Sequence, residues 1–224
     1  MSTIFKGVLF DLDGTLLDTA DDLGAALNHV LESNDFPIVN PSQYRPIASD
    51  GAKGLLHLGF GNKIDAFNED SLRQQFLSYY EANIAVHTKL YEGVTELLAF
   101  LNQQGVPWGI VTNKPIGLTN TLLPYYPELS KSYVNIGGDS LPSRKPAPEP
   151  LLHACQHLHI KPNECVYLGD APRDIQAANA ADMYSVIALW GYIVDQNACA
   201  NWSANLHCSN PKQLINLFRQ LMSN

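Results

Sequence analysis

The sequence predicts an α/β protein: a parallel sheet with helices on both faces, interrupted after its first strand by an all-helical insert. Three observations carry this. From about residue 86 onward, short apolar runs alternate with amphipathic helical stretches, the rhythm of a parallel sheet. The apolar run that ends in Val8-Leu9-Phe10 stands apart from that alternation, with helical patterning dominating between it and residue 86. It also ends abruptly, at Asp11-Leu12-Asp13-Gly14-Thr15, with two carboxylates one residue apart where a buried strand stops.

The first strand is expected over residues 4–10. "TADDLGAALNHVLES" follows as a helix from Thr19 to about Ser33, with Leu23, Ala26, Leu27, Val30 and Leu31 on one face. Thr19 is its expected N-cap, and Asp21 and Asp22 suit the first turn. Glycine-rich "IASDGAKGLLHLGFGN" reads as a loop with a short helix, and "SLRQQFLSYYEANIA" as a further helix. Beyond "VHTKLYEGV", helix "VTELLAFLNQQG" ends at a glycine and leads into strand "VPWGIVTN". "IGLTNTLLP" precedes a short strand "YVNIGGD", "PEPLLHACQHLHI" precedes "CVYLGD", and "RDIQAANAA" precedes "MYSVIAL". Residues 191–210 read as a flexible tail region before a C-terminal helix, "PKQLINLFRQLM". The expected domains are a core of residues 1–17 and 86–224 and a helical cap of residues 18–85.

At 224 residues, 46% hydrophobic and 16% charged, the chain suits an ordered core domain carrying a smaller insert. No apolar run is long enough to span a bilayer, and the N-terminus meets acidic residues before an export signal can develop. Four cysteines without a CxxC pair read as reduced thiols, and a cytoplasmic location is expected. A net charge of −8 without any Lys/Arg cluster excludes the basic footprint of a nucleic-acid binder. If the substrate is a small anion, local cations must offset that field: a metal held by carboxylates, and single basic residues.

Ligands of an open parallel sheet bind beyond the carboxyl ends of its strands. Those ends carry Asp11 and Asp13, then Thr112-Asn113, then Gly138-Asp139, then Gly169-Asp170, with Asp174 one helical turn further on. The loop "PSRKPAPEP" adds Arg144 and Lys145. Such a gathering of carboxylates repels itself without a cation, and all-oxygen ligands in phosphate chemistry favour Mg²⁺.

DLDGT at 11–15, VTN at 111–113, Lys145 before Pro146 and GDAPRD at 169–174 together resemble the haloacid dehalogenase (HAD) superfamily, in its phosphatase branch with a helical cap. The resemblance covers the whole chain and implies a Rossmann-like core. It implies that Asp11 is a nucleophile forming an aspartyl-phosphate, and that Asp13 protonates the leaving alkoxide and then deprotonates the hydrolytic water. It implies Mg²⁺ held by Asp11, the backbone carbonyl of Asp13 and Asp170, with Asp174 in support. Lys145, Thr112 and the Asn113 amide would meet the phosphoryl oxygens, and Gly14 would leave room beside them. Lys114 is a rival to Lys145, since "NKP" and "RKP" look alike; it reads equally as a solvated lysine or a substrate-facing group.

The implied activity is Mg²⁺-dependent hydrolysis of a small phosphorylated metabolite bearing a carboxylate. The sequence resembles bacterial phosphoglycolate phosphatases in "VTNKP", "IGGD", "RKPAPEPLL" and "GDAPRDIQAA". It also resembles a sister group acting on N-acetylmuramic acid 6-phosphate, closer in "SDGAKGLLHLGFG" and in "WGYI" with Trp202, and the reading leans to that substrate. The alternative is a phosphomutase of the β-phosphoglucomutase type. In the cap, Arg45, Lys53 and His57 are candidates to meet a carboxylate or sugar hydroxyls, and hinges are expected near 17–19 and 85–90. His153, His157 and His159 read as surface histidines, and Asp174 alone would read as a helix-starting acid.

Overall fold

The computed structural model describes residues 5–222, with side chains described through Arg219; Ile4, the expected start of the first strand, lies outside that range. The elements in order are β1 (Gly7–Phe10), β2 (Leu17–Asp18), α1 (Ala20–Glu32), α2 (Pro41–Tyr44), α3 (Gly51–Phe60), α4 (Glu69–Ala82), β3 (Lys89–Leu90) and α5 (Val94–Gln103). They continue with β4 (Trp108–Val111), α6 (Ile116–Leu122), β5 (Asn135–Ile136), α7 (Glu149–Leu158), β6 (Cys165–Gly169), α8 (Pro172–Ala180), β7 (Tyr184–Ala188), β8 (Leu206–Cys208) and α9 (Pro211–Met222). The chain forms two compact units, one running to Leu16 and resuming at Leu90, the other Leu17–Lys89.

The first unit is built on a six-stranded sheet in the order β5-β4-β1-β6-β7-β8, with every pairing parallel. β1 lies in the interior of the sheet, and all four of its residues are buried. A strand covered on both faces must read as an unbroken apolar run, which explains "GVLF". Leu9 registers with Gly109 and with Tyr167, so these residues share a face. That face packs on Leu151, Ala154, Cys155 and Leu158 of α7 and on Ala177 and Ala178 of α8. Alternate strand residues, Phe10 and Trp108 among them, meet edge to face with ring centroids 6.2 Å apart. The parallel sheet therefore opens all its strand ends to one rim.

Three stretches differ from expectation. The "YVNIGGD" strand contracts to Asn135–Ile136, because the two glycines that follow turn away to pack on residues 113–116. The supposed tail contains a 3₁₀ turn at Ala198–Trp202 and the edge strand β8. Asn205 fixes β8: its Oδ1 accepts from Ser185 N (2.8 Å), while its own N donates to Ser185 O (3.0 Å). The glycine-rich cap segment holds a ten-residue helix, α3.

The second unit is helical apart from the short strand β2 and Lys89 of β3. Its centre is α1, against which α3 and α4 pack. Gly24 gives room to the Tyr44 ring, since a Cβ there would lie 2.6 Å from Tyr44 Cε1, and Gly59 does the same for Leu31. Thr19 occupies the N-cap of α1 without a side-chain cap bond. Asp18 Oδ1 reaches the Ala20 amide instead (3.4 Å). Asp22 is turned inward, accepting from His87 N, Thr88 N and Thr88 Oγ1 at 2.7–3.1 Å. Arg45 is gripped by Asp18 and, at 2.8 Å, by Asp21. No described helix is long and apolar enough to cross a membrane.

Candidate active site

Asp11 follows the last residue of β1, and its amide donates to Leu168 O of β6 (2.8 Å), which fixes it at the rim. Asp170 follows β6, and Asp174 lies in the first turn of α8. All three are buried, and each offers a carboxylate oxygen within 4.8 Å of the other two. Burial pushes Asp170 up to about 8, with Asp174 and Asp11 adding to the effect. Burial likewise raises Asp11, despite the lysine beside it.

That lysine is Lys145. Its Nζ lies 3.0 Å from Asp11 Oδ1 and 2.7 Å from Asp174 Oδ1, with its side chain 1% exposed. It also donates to Val111 O (2.9 Å) and to Tyr167 Oη (2.7 Å). Tyr167 in turn donates to Val111 O (2.8 Å), so the phenol braces the lysine from below. Asn113 Nδ2 donates to Lys145 O (2.9 Å), tying the lysine's backbone to the end of β4. Neighbouring Arg144 is exposed.

The residues fit a hard divalent cation. Three buried carboxylates facing one another, with the Lys145 ammonium among them and the Arg173 charge also acting on Asp11 and Asp170, form an all-oxygen donor set suited to a hard cation. The backbone around them is shaped to the same end. Gly14 has φ +85°, and a Cβ there would run into the Asp170 carboxylate. A Cβ on Gly169 would strike Asp174, and one on Gly191 would strike Asp170 and lie 2.5 Å from Gly14 O. Tyr192 N donates to Asp170 Oδ2 (2.9 Å), and Ala171 N to Asp174 Oδ2 (3.0 Å). These amides orient the acids, as outer partners of metal ligands do.

Asp13 stands apart from the three acids: its Oδ1 lies 2.9 Å from Lys114 Nζ. Thr112 is buried, and its Oγ1 accepts from Lys114 N (3.2 Å), which leaves its own hydrogen to donate. Thr15 Oγ1 and Asn113 Oδ1 are buried polar atoms without a partner. Asp139 does not join the carboxylate group at all; its Oδ1 accepts from Ile116 N (2.7 Å) at the start of α6. His153 and His157 face each other on α7, Nε2 to Nε2 at 3.2 Å, and among the described residues the aspartate trio alone forms a metal-capable group of three. The four cysteines are free and buried.

Sequence reasoning missed Tyr167 and the Trp190-Gly191-Tyr192 wrap. In the wrap, Trp190 Nε1 donates to Thr15 O (2.9 Å) while the next two residues enclose Asp170. Both stretches were visible as motifs, "CVYLGD" and "WGYI", but their contacts span up to 175 positions of sequence.

The sequence profile of haloacid dehalogenase-like hydrolases matches residues 8–188, most of the chain. The chain belongs to this family. A phosphoglycolate phosphatase of Xanthomonas campestris is 43% identical over 209 residues, covering 93% of this chain and 94% of that one. An N-acetylmuramic acid 6-phosphate phosphatase of Pseudomonas aeruginosa is 36% identical over 212 residues, covering 95% and 94%. Among solved structures, a predicted phosphoglycolate phosphatase from Haemophilus somnus superposes with a TM-score of 0.85 at 27% identity, covering 95% of this chain and 97% of that one. In this chain the family, the phosphatase relatives and the aspartate cluster together give a magnesium-dependent phosphatase acting on a small phosphorylated metabolite.

Proposed function

We propose that this HAD phosphatase hydrolyses a carboxylate-bearing phosphate monoester, 2-phosphoglycolate or N-acetylmuramic acid 6-phosphate, through a phosphoryl group carried on Asp11. The observation that supports this most is the placement of Lys145 Nζ between Asp11 and Asp174, 3.0 and 2.7 Å away, at the rim where three acids converge. Asp11, Asp170 and the Asp13 carbonyl would hold Mg²⁺, with Asp174 in support. When bound, the ion neutralises charge on the phosphoryl oxygens.

The chain's own residues account for the rest. Asp11 attacks phosphorus, with its counter-ion Lys145 holding Oδ1 of the carboxylate. As the P–O bond to the leaving group breaks, the departing alkoxide takes a proton from Asp13. A water then attacks the aspartyl-phosphate, gives its proton to Asp13, and the electron pair of the breaking P–O bond returns to Asp11. The Thr112 hydroxyl and the Asn113 amide stabilise the equatorial oxygens, and Gly14 keeps backbone clear of them.

The relatives that support a carboxylate-bearing substrate are the phosphoglycolate and N-acetylmuramic acid 6-phosphate phosphatases, both above 30% identity. The helical unit, in this reading, carries the residues that choose the leaving group. Within that unit Arg45 already serves two carboxylates, whereas Lys53 is exposed. Likeness to a β-phosphoglucomutase of Thermotoga maritima, at 21% identity and TM-score 0.77, is a likeness of fold alone.

The test is phosphate release with Mg²⁺ from the two acid phosphates, compared by kcat/KM, with glucose 1-phosphate and glucose 6-phosphate as controls. A strong preference for one acid phosphate supports the reading. Interconversion of the glucose phosphates without phosphate release would overturn it in favour of a mutase.

A further inference from the structure

The stretch Gly137-Gly138-Asp139 has no part in the chemistry above, yet the fold builds it tightly against the end of β4. A Cβ on Gly137 would lie 2.5 Å from Ile116 N, and one on Gly138 would run into the Asn113 carbonyl. Gly138 N donates to Lys114 O (2.8 Å), and Asp139 Oδ1 accepts from Ile116 N (2.7 Å). On its other side, Lys114 N donates to Thr112 Oγ1 (3.2 Å). The backbone of Lys114 is therefore pinned before, at and after the residue.

From that pinned position the side chain, 5% exposed, sets its Nζ 2.9 Å from Asp13 Oδ1. An exposed lysine–aspartate pair gains little because it must order two mobile side chains. Here burial and the backbone clamp have already ordered the lysine. An ammonium can only donate, so Oδ1 is an acceptor in this contact and is closed as the seat of a transferable proton.

We propose that Lys114 is a positioning residue for Asp13: it holds one carboxyl oxygen so that the proton passed to the leaving alkoxide rides on the other, Oδ2. The glycine pair and Asp139 are the clamp that holds Lys114 in place. This inference rests on the reading of Asp13 as proton donor.

Leaving-group chemistry separates the two. An alkoxide leaves with a proton, whereas p-nitrophenolate leaves without one. Formation of the phosphoenzyme is followed by quenched flow with saturating Mg²⁺, using 2-phosphoglycolate or N-acetylmuramic acid 6-phosphate, whichever is the better substrate, and p-nitrophenyl phosphate. Only the first half-reaction is read, because Asp13 serves the second half as base for either ester.

In Lys114→Met, transfer from the alkyl ester is expected to slow about 10- to 100-fold, part of the usual contribution of a positioned acid, with transfer from the aryl ester within about threefold of wild type. Lys114→Arg, which restores a cationic donor, recovers most of the loss. Lys114→Gln is measured alongside, so that a folding defect of the methionine variant cannot stand in for the effect. Equal slowing of both esters in Lys114→Gln and Lys114→Met, or slowing of neither, overturns the inference. Asp13→Asn distinguishes the failures. Selective loss on the alkyl ester there, without it in the lysine variants, removes Lys114 from the role and leaves Asp13 in place. No selectivity in Asp13→Asn removes the proton-donor reading itself.

Discussion

Lys145 Nζ lies 2.7 Å from Asp174 Oδ1, a fully buried ion pair joining the loop before α7 to the first turn of α8. The same ammonium reaches Asp11 at 3.0 Å, so one cation balances two acids, one following β1 and one in the first turn of α8. Buried pairs of this kind add little net stability when complete, but removing one partner strands a charge. Lys145→Met is therefore expected to destabilise the metal-free protein by about 3–5 kcal/mol, read from urea unfolding in chelator. Unchanged stability would show that the acids are not charged neighbours of this lysine.

Tyr167 supplies the floor of that arrangement, and Tyr167→Phe removes only its hydroxyl. Lys145 and Val111 O would each lose one partner, a cost of roughly 1–3 kcal/mol. Thermal unfolding reports the loss, and kcat is expected to fall while KM stays close to wild type, because the lysine's aim and not the substrate's contacts has changed. An unchanged kcat would mean that Lys145 is aimed by its other partners alone.

Gly191 encloses Asp170, and a methyl group there has no space. Gly191→Ala must push either Asp170 or the Gly14 backbone aside, so the Mg²⁺ concentration for half-maximal activity is expected to rise about 10- to 100-fold, the usual cost of disturbing the partners of a metal ligand. Titration of activity with Mg²⁺ checks this. An unaltered requirement would separate Asp170 from the metal.

Metal-free stability should depend on pH through the same acid. Asp170 is raised to about 8 in the folded chain, far above the ordinary carboxyl value of 3.8, and burial raises Asp11 in the same direction. Between those values the folded state holds protons that the unfolded chain releases, so these groups lower stability as pH rises from 4 to 8. In chelator, the melting temperature of wild type should fall more steeply over that range than that of Asp170→Asn. Added Mg²⁺ should stabilise wild type most at the alkaline end, where no proton competes for the carboxylate. Parallel melting curves for the two proteins would contradict the assignment.

Much of this was legible in the sequence because it is local. β1 announces itself as an apolar run, and Asp11, Asp170 and Asp174 are placed by the strand or helix that each adjoins. Of the two lysines the sequence offers for the phosphoryl oxygens, Lys145 pairs with Asp11 and Asp174 while Lys114 pairs with Asp13. What was not legible depends on distant partners. Tyr167 reads as one more apolar strand residue until its hydroxyl meets Lys145, and β8 reads as tail because three residues, Leu206–Cys208, carry no period of their own. Asp139, at a strand end like the others, reads as one more acid of the rim, but it is drawn off by the first amide of α6. Thr19 sits where a cap belongs, but Asp18 reaches the Ala20 amide first.

The central claim is that Asp11 carries the phosphoryl group. The direct measurement is the intact mass of the protein, acid-quenched during turnover of 2-phosphoglycolate or N-acetylmuramic acid 6-phosphate with Mg²⁺, with the modified peptide then located. Wild type is predicted to carry one acid-stable, hydroxylamine-labile phosphoryl group on Asp11, and Asp11→Asn to carry none and to lose more than about 10⁴-fold in kcat, as enzymes do without their nucleophile. Phosphate release from Asp11→Asn at the wild-type rate, or a phosphoryl group found on another residue, would contradict it.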